Sequence, residues 1–144
     1  MSVLLDTSVL IAGLLAAHDH HAQALPWLQK AYRKDITLCV SAHSLLETFA
    51  VLTRLPMAPK ISPNTATHLI HENIEKNAEV IVLSKKEHLE ILQQMNILGL
   101  TGGIIYDALI LKAAEKAKVS AVITFNVRDF KRLCPQNPDW IQTP

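Results

Sequence analysis

A chain of 144 residues, 49% hydrophobic and 19% charged, is long and apolar enough for one compact domain with its own core, and with four glycines and no low-complexity tract it is not a disordered one. The formal net charge of +1 marks neither a strongly acidic nor a strongly basic protein, so any nucleic acid must be held by a local patch. No stretch reaches the roughly 18 apolar residues of a membrane span, and the N-terminal apolar run is interrupted by Asp6 and has no basic region ahead of it. Cys39, inside a strand-like run, and Cys134 lack motif spacing, so no disulfide is indicated; a cytoplasmic protein is expected.

Val3 to Leu5 is too short for a buried helix and reads as a strand covered on both faces of a parallel sheet, with Asp6 at its carboxyl end. A helix follows over Ser8 to Ala17. Asp19 is placed to cap a second, His20 to Lys34, with a stripe of Ala22, Leu25, Leu28, Ala31 and Tyr32; Pro26 marks a kink or a later start. Ile36 to Val40 is the second strand. Ser41 offers an N-cap for a helix to Arg54 with Leu45, Leu46, Phe49 and Leu52 on its apolar face. Leu55 to Pro63, with three prolines, is a loop; Thr65 to Lys76 is a helix and Val80 to Leu83 a third strand. Ser84 caps the next helix, Glu87 completes a capping box, and the helix ends by Gly99. Beyond Gly102-Gly103, a helix from Ile104 to Lys118 puts Ala108, Leu111, Ala114 and Ala117 at core spacing. Ala121 to Thr124 is a fourth strand, Asn126 to Leu133 a short helix, and Trp140-Ile141 a fifth, edge strand. Buried strands alternating with helices predict a single α/β domain over residues 1–144: a three-layer sandwich around a central parallel sheet of four to five strands, with right-handed crossovers.

In such a sheet ligands collect at the carboxyl edge, and four acidic positions follow strands. Asp6 directly follows the first. Glu47 lies in the second turn of the helix after the second, Asp107 in the first turns of the helix opened by the glycine pair, and Asp129, with Asn126, after the fourth. Singly, each has a plain reading: an N-cap, a solvated helix residue, an early-turn charge favoured by the helix dipole, a surface charge beside Arg128. Together they predict one cleft. Clustered carboxylates raise each other's pKa unless a cation is shared, and hard oxygen ligands suit Mg²⁺ or Mn²⁺, which can activate water against a phosphodiester. No side-chain nucleophile is required, and Asn126 serves as a neutral ligand or hydrogen-bond partner.

The segments LLDTSVL, SLLETFAVLTRL, GGIIYDALI and VITFNVRDF resemble, in order, the signature blocks of PIN-domain ribonucleases, and most closely those of VapC-type toxins of bacterial toxin–antitoxin pairs. The resemblance spans Val3 to Phe130. It implies a Mg²⁺- or Mn²⁺-dependent endoribonuclease in which Asp6, Glu47 and Asp107 match the family's acidic triad and Asp129 its less constant fourth acid. Many members carry an acid where this chain has Asn126, so a weaker second metal is implied. Ser8 and Thr124 match polar positions that orient ligands or water, with Thr7 a close second to Ser8. Also implied are a cognate antitoxin that blocks the cleft, a homodimer, and operator DNA bound only through the antitoxin complex.

Other residues are weighed against simpler roles. His18, His20 and His21 lack the spacing of a zinc ligand pair and read as a solvated cluster. His43, one turn before Glu47, can face the cleft or solvent. Arg128 and Lys131, together with Arg132, flank Asp129, and Lys112 lies about one turn past Asp107; they are candidates for RNA phosphates or an ordinary solvated face. Tyr106, beside Asp107, is the aromatic to watch near a substrate. The rival to the nuclease is a PIN-fold binding or assembly module with a site too weak to turn over. An aspartyl-nucleophile phosphatase shares the strand-then-Asp6 layout but needs a second aspartate where Ser8 stands.

Overall fold

A computed structural model describes all 144 residues. Five strands, β1 (Ser2–Leu5), β2 (Thr37–Ser41), β3 (Ala78–Ile81), β4 (Ala121–Ile123) and β5 (Ile141–Gln142), form one sheet in the order β3-β2-β1-β4-β5, and every pairing is parallel. Seven helices connect them: α1 (Thr7–Leu14), α2 (His21–Tyr32), α3 (Ala42–Arg54), α4 (Pro63–Asn73), α5 (Lys85–Leu98), α6 (Ile104–Ala117) and α7 (Val127–Leu133). None is long and apolar enough to cross a membrane.

The three layers follow from the period of the strands. Successive side chains point to opposite faces, so Val3, Leu5, Leu38, Val40, Ala121 and Ile123 pack with Val9, Leu10, Ala24 and Leu28 of α1 and α2. Leu4, Cys39 and Val122 point the other way, onto Ile91, Met95, Leu111 and Phe130 of α5, α6 and α7. Val3, Leu4 and Leu5 are fully buried, each worth about 1.5–3 kcal/mol on removal from water. A smaller cluster of Leu52, Ala66 and Ile70 joins α3 to α4. A Cβ on Gly13 would come within 2.6 Å of Leu28 Cδ1, so glycine is what lets α1 approach α2 this closely. Cys39 and Cys134 are both free and buried.

Several boundaries differ from expectation, each for a local reason. Helix α4 starts at Pro63, whose missing N–H costs nothing in the first turn, and Ser62 caps it by accepting from Thr65 N–H. Strand β3 begins two residues early, because its partner β2 ends at Ser41 opposite Ile81 and leaves Val82 exposed. His20, not Asp19, stands at the N-cap of α2, with no side-chain cap, and Pro26 is held inside the helix at the loss of one backbone bond. Ala22 and Tyr32 are exposed, leaving Ala24, Leu28 and Ala31 as the buried stripe. Leu46 is also exposed: the buried face of α3 runs through Ser44, Thr48 and Leu52, and Leu46 lies about 200° around from Ser44. The capping box at Ser84 and Glu87 forms as expected.

The strand order places a topological switch point between β1 and β4. From β1 the chain proceeds outward to β2 and β3, then returns to the other side for β4 and β5, which leaves a crevice at the carboxyl ends of β1 and β4.

Candidate active site

Asp6 sits in that crevice. Its backbone N–H donates to the Ile123 carbonyl at 3.0 Å, so β1 stays tied to β4 one residue past its end. The residue is only 5% exposed. Oδ1 accepts from Thr7 N–H at 2.7 Å; Oδ2 accepts from the hydroxyls of Ser8 and Thr124, both at 2.8 Å. Thr124 Oγ1 in turn accepts from Asn126 N–H at 2.9 Å, and Ser8 Oγ from Phe125 N–H at 3.4 Å. The start of α1 is thereby fastened to the turn between β4 and α7. Burial pushes the Asp6 carboxyl above its ordinary range; the three donors oppose this, and the charge of Glu47 adds to it.

The other acids come from three helices. Asp107, in the first turn of α6, and Asp129, in the first turn of α7, are bridged by one side-chain amide. Asn126 Nδ2 donates to Asp107 Oδ2 at 3.3 Å and to Asp129 Oδ2 at 3.1 Å. Burial, then the charges of Asp6, Asp129 and Glu47, push the Asp107 carboxyl up to about 7. Glu47 Oε2 lies 2.9 Å from His43 Nε2 one turn earlier on α3, and the His43 ring stacks on Tyr106 at 5.4 Å with 1° between planes. Thr7 Oγ1 donates to Ser44 Oγ at 3.0 Å, which fixes α3 beside α1. Thr48, next to Glu47, buries a hydroxyl with no partner.

Asp6, Glu47, Asp107 and Asp129 thus raise or feel one another's charge across one crevice, and no lysine or arginine pairs with the first three. Arg132 touches Asp129 from outside at 3.5 Å. No three histidine, cysteine or acidic side chains lie close enough together to enclose an ion by themselves. The donor set is therefore oxygen-rich, negatively charged and open.

The remaining candidates separate. Arg128 and Lys131 are exposed on the same short helix as Asp129. Lys112 is not part of the crevice: its ammonium lies 2.7 Å from Glu90 and 3.8 Å from Glu115, because five helical positions carry it about 140° around α6 from Asp107. The histidines converge on no common point, although the His18 and His20 rings lie 5.9 Å apart. His18 Nδ1 accepts from His20 N–H, His21 Nδ1 lies 2.8 Å from the Ala12 carbonyl, and His20 is stacked on Phe125 at 4.8 Å. That last pairing went unread in the sequence; the only signal was an aromatic set between Thr124 and Asn126.

Fold and site define a class: a parallel α/β sandwich with four acids at the carboxyl edge of its sheet. A PIN domain family model matches residues 3–134. Over 114 residues the chain is 39% identical to ribonuclease VapC27 of Mycobacterium tuberculosis, covering 77% of this chain and 75% of that protein. Among solved structures, VapC20 of Mycobacterium tuberculosis, a toxin that cleaves the sarcin-ricin loop, superposes with a TM-score of 0.69 at 16% identity, over 88% of this chain and 92% of that one. VapBC2 of Rickettsia felis, bound to a DNA fragment from its promoter, superposes with a TM-score of 0.67 at 20% identity, over 100% and 99% of the two chains. The chain belongs to the PIN-domain family, among its VapC-type ribonucleases.

Proposed function

We propose that this chain is an endoribonuclease toxin that hydrolyses RNA phosphodiester bonds with Mg²⁺ or Mn²⁺ held by Asp6, Glu47 and Asp107 and assisted by Asp129. One observation carries the reading: four carboxylates lie within one another's field, no lysine or arginine pairs with Asp6, Glu47 or Asp107, and burial together with the charges of Asp6, Asp129 and Glu47 drives Asp107 up to about 7. Such a cluster is costly on its own and becomes favourable when a divalent ion enters. Oxygen donors with neither thiol nor imidazole at the centre suit a hard cation. A hard cation of this kind keeps waters and takes its remaining coordination from phosphate.

When bound, the ion supplies an activated water and polarises the phosphoryl oxygen. The chain's own residues do the rest. Ser8 and Thr124 hold Oδ2 of Asp6 and the Thr7 N–H holds Oδ1, so the carboxylate that would bind the ion is fixed in orientation. Asn126 holds Asp107 and Asp129 at a fixed separation while adding no charge of its own. His43 orients Glu47. Arg128 and Lys131, exposed beside Asp129, attract the RNA backbone and give binding a salt dependence.

A ribonuclease open to solvent needs restraint in its own cell, and VapBC2, a structural relative, is known bound to promoter DNA. The reading extends to a cognate antitoxin that covers the crevice, a homodimer, operator DNA bound only through the antitoxin complex, and a cytoplasmic place of action. Incubating the purified protein with total RNA in Mg²⁺, Mn²⁺ or EDTA, beside Asp6→Asn, tests the core of it. Cutting that needs the ion and the acid is expected. A folded protein that cuts no RNA in either metal would replace the nuclease with a binding module.

A further inference from the structure

Two aromatic pairs adjoin the acid residues, built on one plan. In each, an inner ring is anchored to the acid framework and backs an outer ring that faces solvent. On the α3–α6 side, His43 is tied to Glu47 at 2.9 Å and backs Tyr106, whose ring lies parallel to it and is 54% exposed. On the β4–α7 side, Phe125 stands between Thr124 and Asn126 with its N–H on Ser8 Oγ, and it backs the exposed His20 at 4.8 Å with 26° between planes. Tyr106 directly precedes Asp107. Phe125 directly follows the residue that bonds Asp6.

A solvent-facing tyrosine and histidine contribute little to a fold. Each is held flat here by a partner that the acid site itself immobilises, so each outer ring is a preformed surface with little rotamer entropy left to lose. Flat aromatic surfaces beside a phosphodiester-cutting centre match the π-faces of nucleobases, and single-stranded RNA is held by such stacking together with backbone contacts. Protein ligands fit less well. The two rings are separate and border a crevice of negative charge, whereas a docking helix needs one continuous apolar face.

We propose that Tyr106 and His20 are stacking platforms for the unpaired nucleobases on the two sides of the scissile phosphate, with His43 and Phe125 as positioning residues behind them. This rests on the nuclease reading above. It makes the preferred substrate a single-stranded or looped segment whose bases are splayed open, since a base paired within a helix cannot offer its face.

The test uses the full chain in an Asp6→Asn background, which keeps one oxygen as acceptor for the Thr7 N–H, turns an amide N–H₂ toward the Ser8 and Thr124 hydroxyls, and removes turnover. A short single-stranded RNA carrying 2-aminopurine is titrated in, and stacking is read as fluorescence quenching. Tyr106→Ala is expected to weaken binding about 5- to 100-fold and to abolish part of the quench, with His20→Ala acting similarly. Tyr106→Phe is expected to bind like the parent. In the cutting enzyme with native Asp6, Tyr106→Ala is expected to raise KM with kcat nearly unchanged, the signature of ground-state binding. Both outer rings are exposed, so their replacement leaves the core intact. If the native protein cuts RNA while both alanine variants keep parental affinity, quench and KM, the platforms are overturned and the nuclease stands. If the native protein neither cuts nor binds the RNA, both readings fall together.

Discussion

Replacing Asp107 by asparagine should stabilise the metal-free protein, and the gain should depend on pH in a stated direction. The native carboxyl is held at about 7 instead of 3.8 by burial and by the charges of Asp6, Asp129 and Glu47. Ionising it at neutral pH on these terms costs at most about 4 kcal/mol. The group is only half-buried and water screens its neighbours, which reduces the expected penalty to about 1–2 kcal/mol. An acid whose pKa is raised by folding binds more protons folded than unfolded between the two values, so its contribution to stability falls as pH rises from about 4 to about 7. Asparagine removes the charge and still accepts from Asn126 Nδ2 in the same place. Melting curves in EDTA should therefore show the variant about 3–6 °C above the wild type at pH 8, with the gap closing toward pH 4. Effects of titrating groups outside the acidic cluster cancel in the difference, and relief of repulsion on Asp6, Glu47 and Asp129 adds to the gain in the same direction. A variant that melts at or below the wild type at pH 8, or by the same margin at both pH values, would refute the shared-charge account.

Three further outcomes follow from particular contacts. Thr48→Val should raise the unfolding free energy by about 1 kcal/mol, seen as a higher urea midpoint at an unchanged m-value, because it deletes a buried hydroxyl that bonds to nothing; a lower midpoint would mean that hydroxyl is satisfied. Asn126→Asp replaces the amide bridging Asp107 and Asp129 with a fifth charge, and should lower metal-free stability at pH 8 by about 1–2 kcal/mol, a loss that Mn²⁺ restores in part. The Glu87 carboxyl is held down to about 2 by Lys116 at 2.7 Å and by the Ser84 cap, so its contribution is complete above pH 4.5 and is lost as pH falls toward 2. The stability advantage of the wild type over Lys116→Met, measured by urea unfolding at pH 6 and pH 3, should shrink at the lower value.

What could be read from the chain follows the range of the interactions involved. Asp6 was legible because a short apolar run ending in a carboxylate has few other meanings, and the Ser84–Glu87 box because both of its bonds close within one turn. The gathering of Asp6, Glu47, Asp107 and Asp129 was legible only through topology: parallel strands bring their carboxyl ends to one edge whatever the intervening sequence. Burial of single residues was harder, since Leu46 and Tyr32 look apolar but find no neighbour on their side of the helix. Lys112 was displaced by helix rotation and then captured by Glu90. The stack of His20 on Phe125 joins residues at opposite ends of the chain, and no local pattern encodes it.

The central claim, that this crevice is built for a divalent cation, is tested most directly by Mn²⁺ binding, read as the loss of the free-ion EPR signal in the wild type and in Asp107→Asn at pH 8 and pH 5.5. With Asp107 titrating near 7, protons compete with the metal in the acid sample. The account predicts binding by the wild type at pH 8, weaker binding at pH 5.5, and at least a tenfold loss of affinity in Asp107→Asn at pH 8. Equal Mn²⁺ binding by both proteins, or none by either at pH 8, would contradict it.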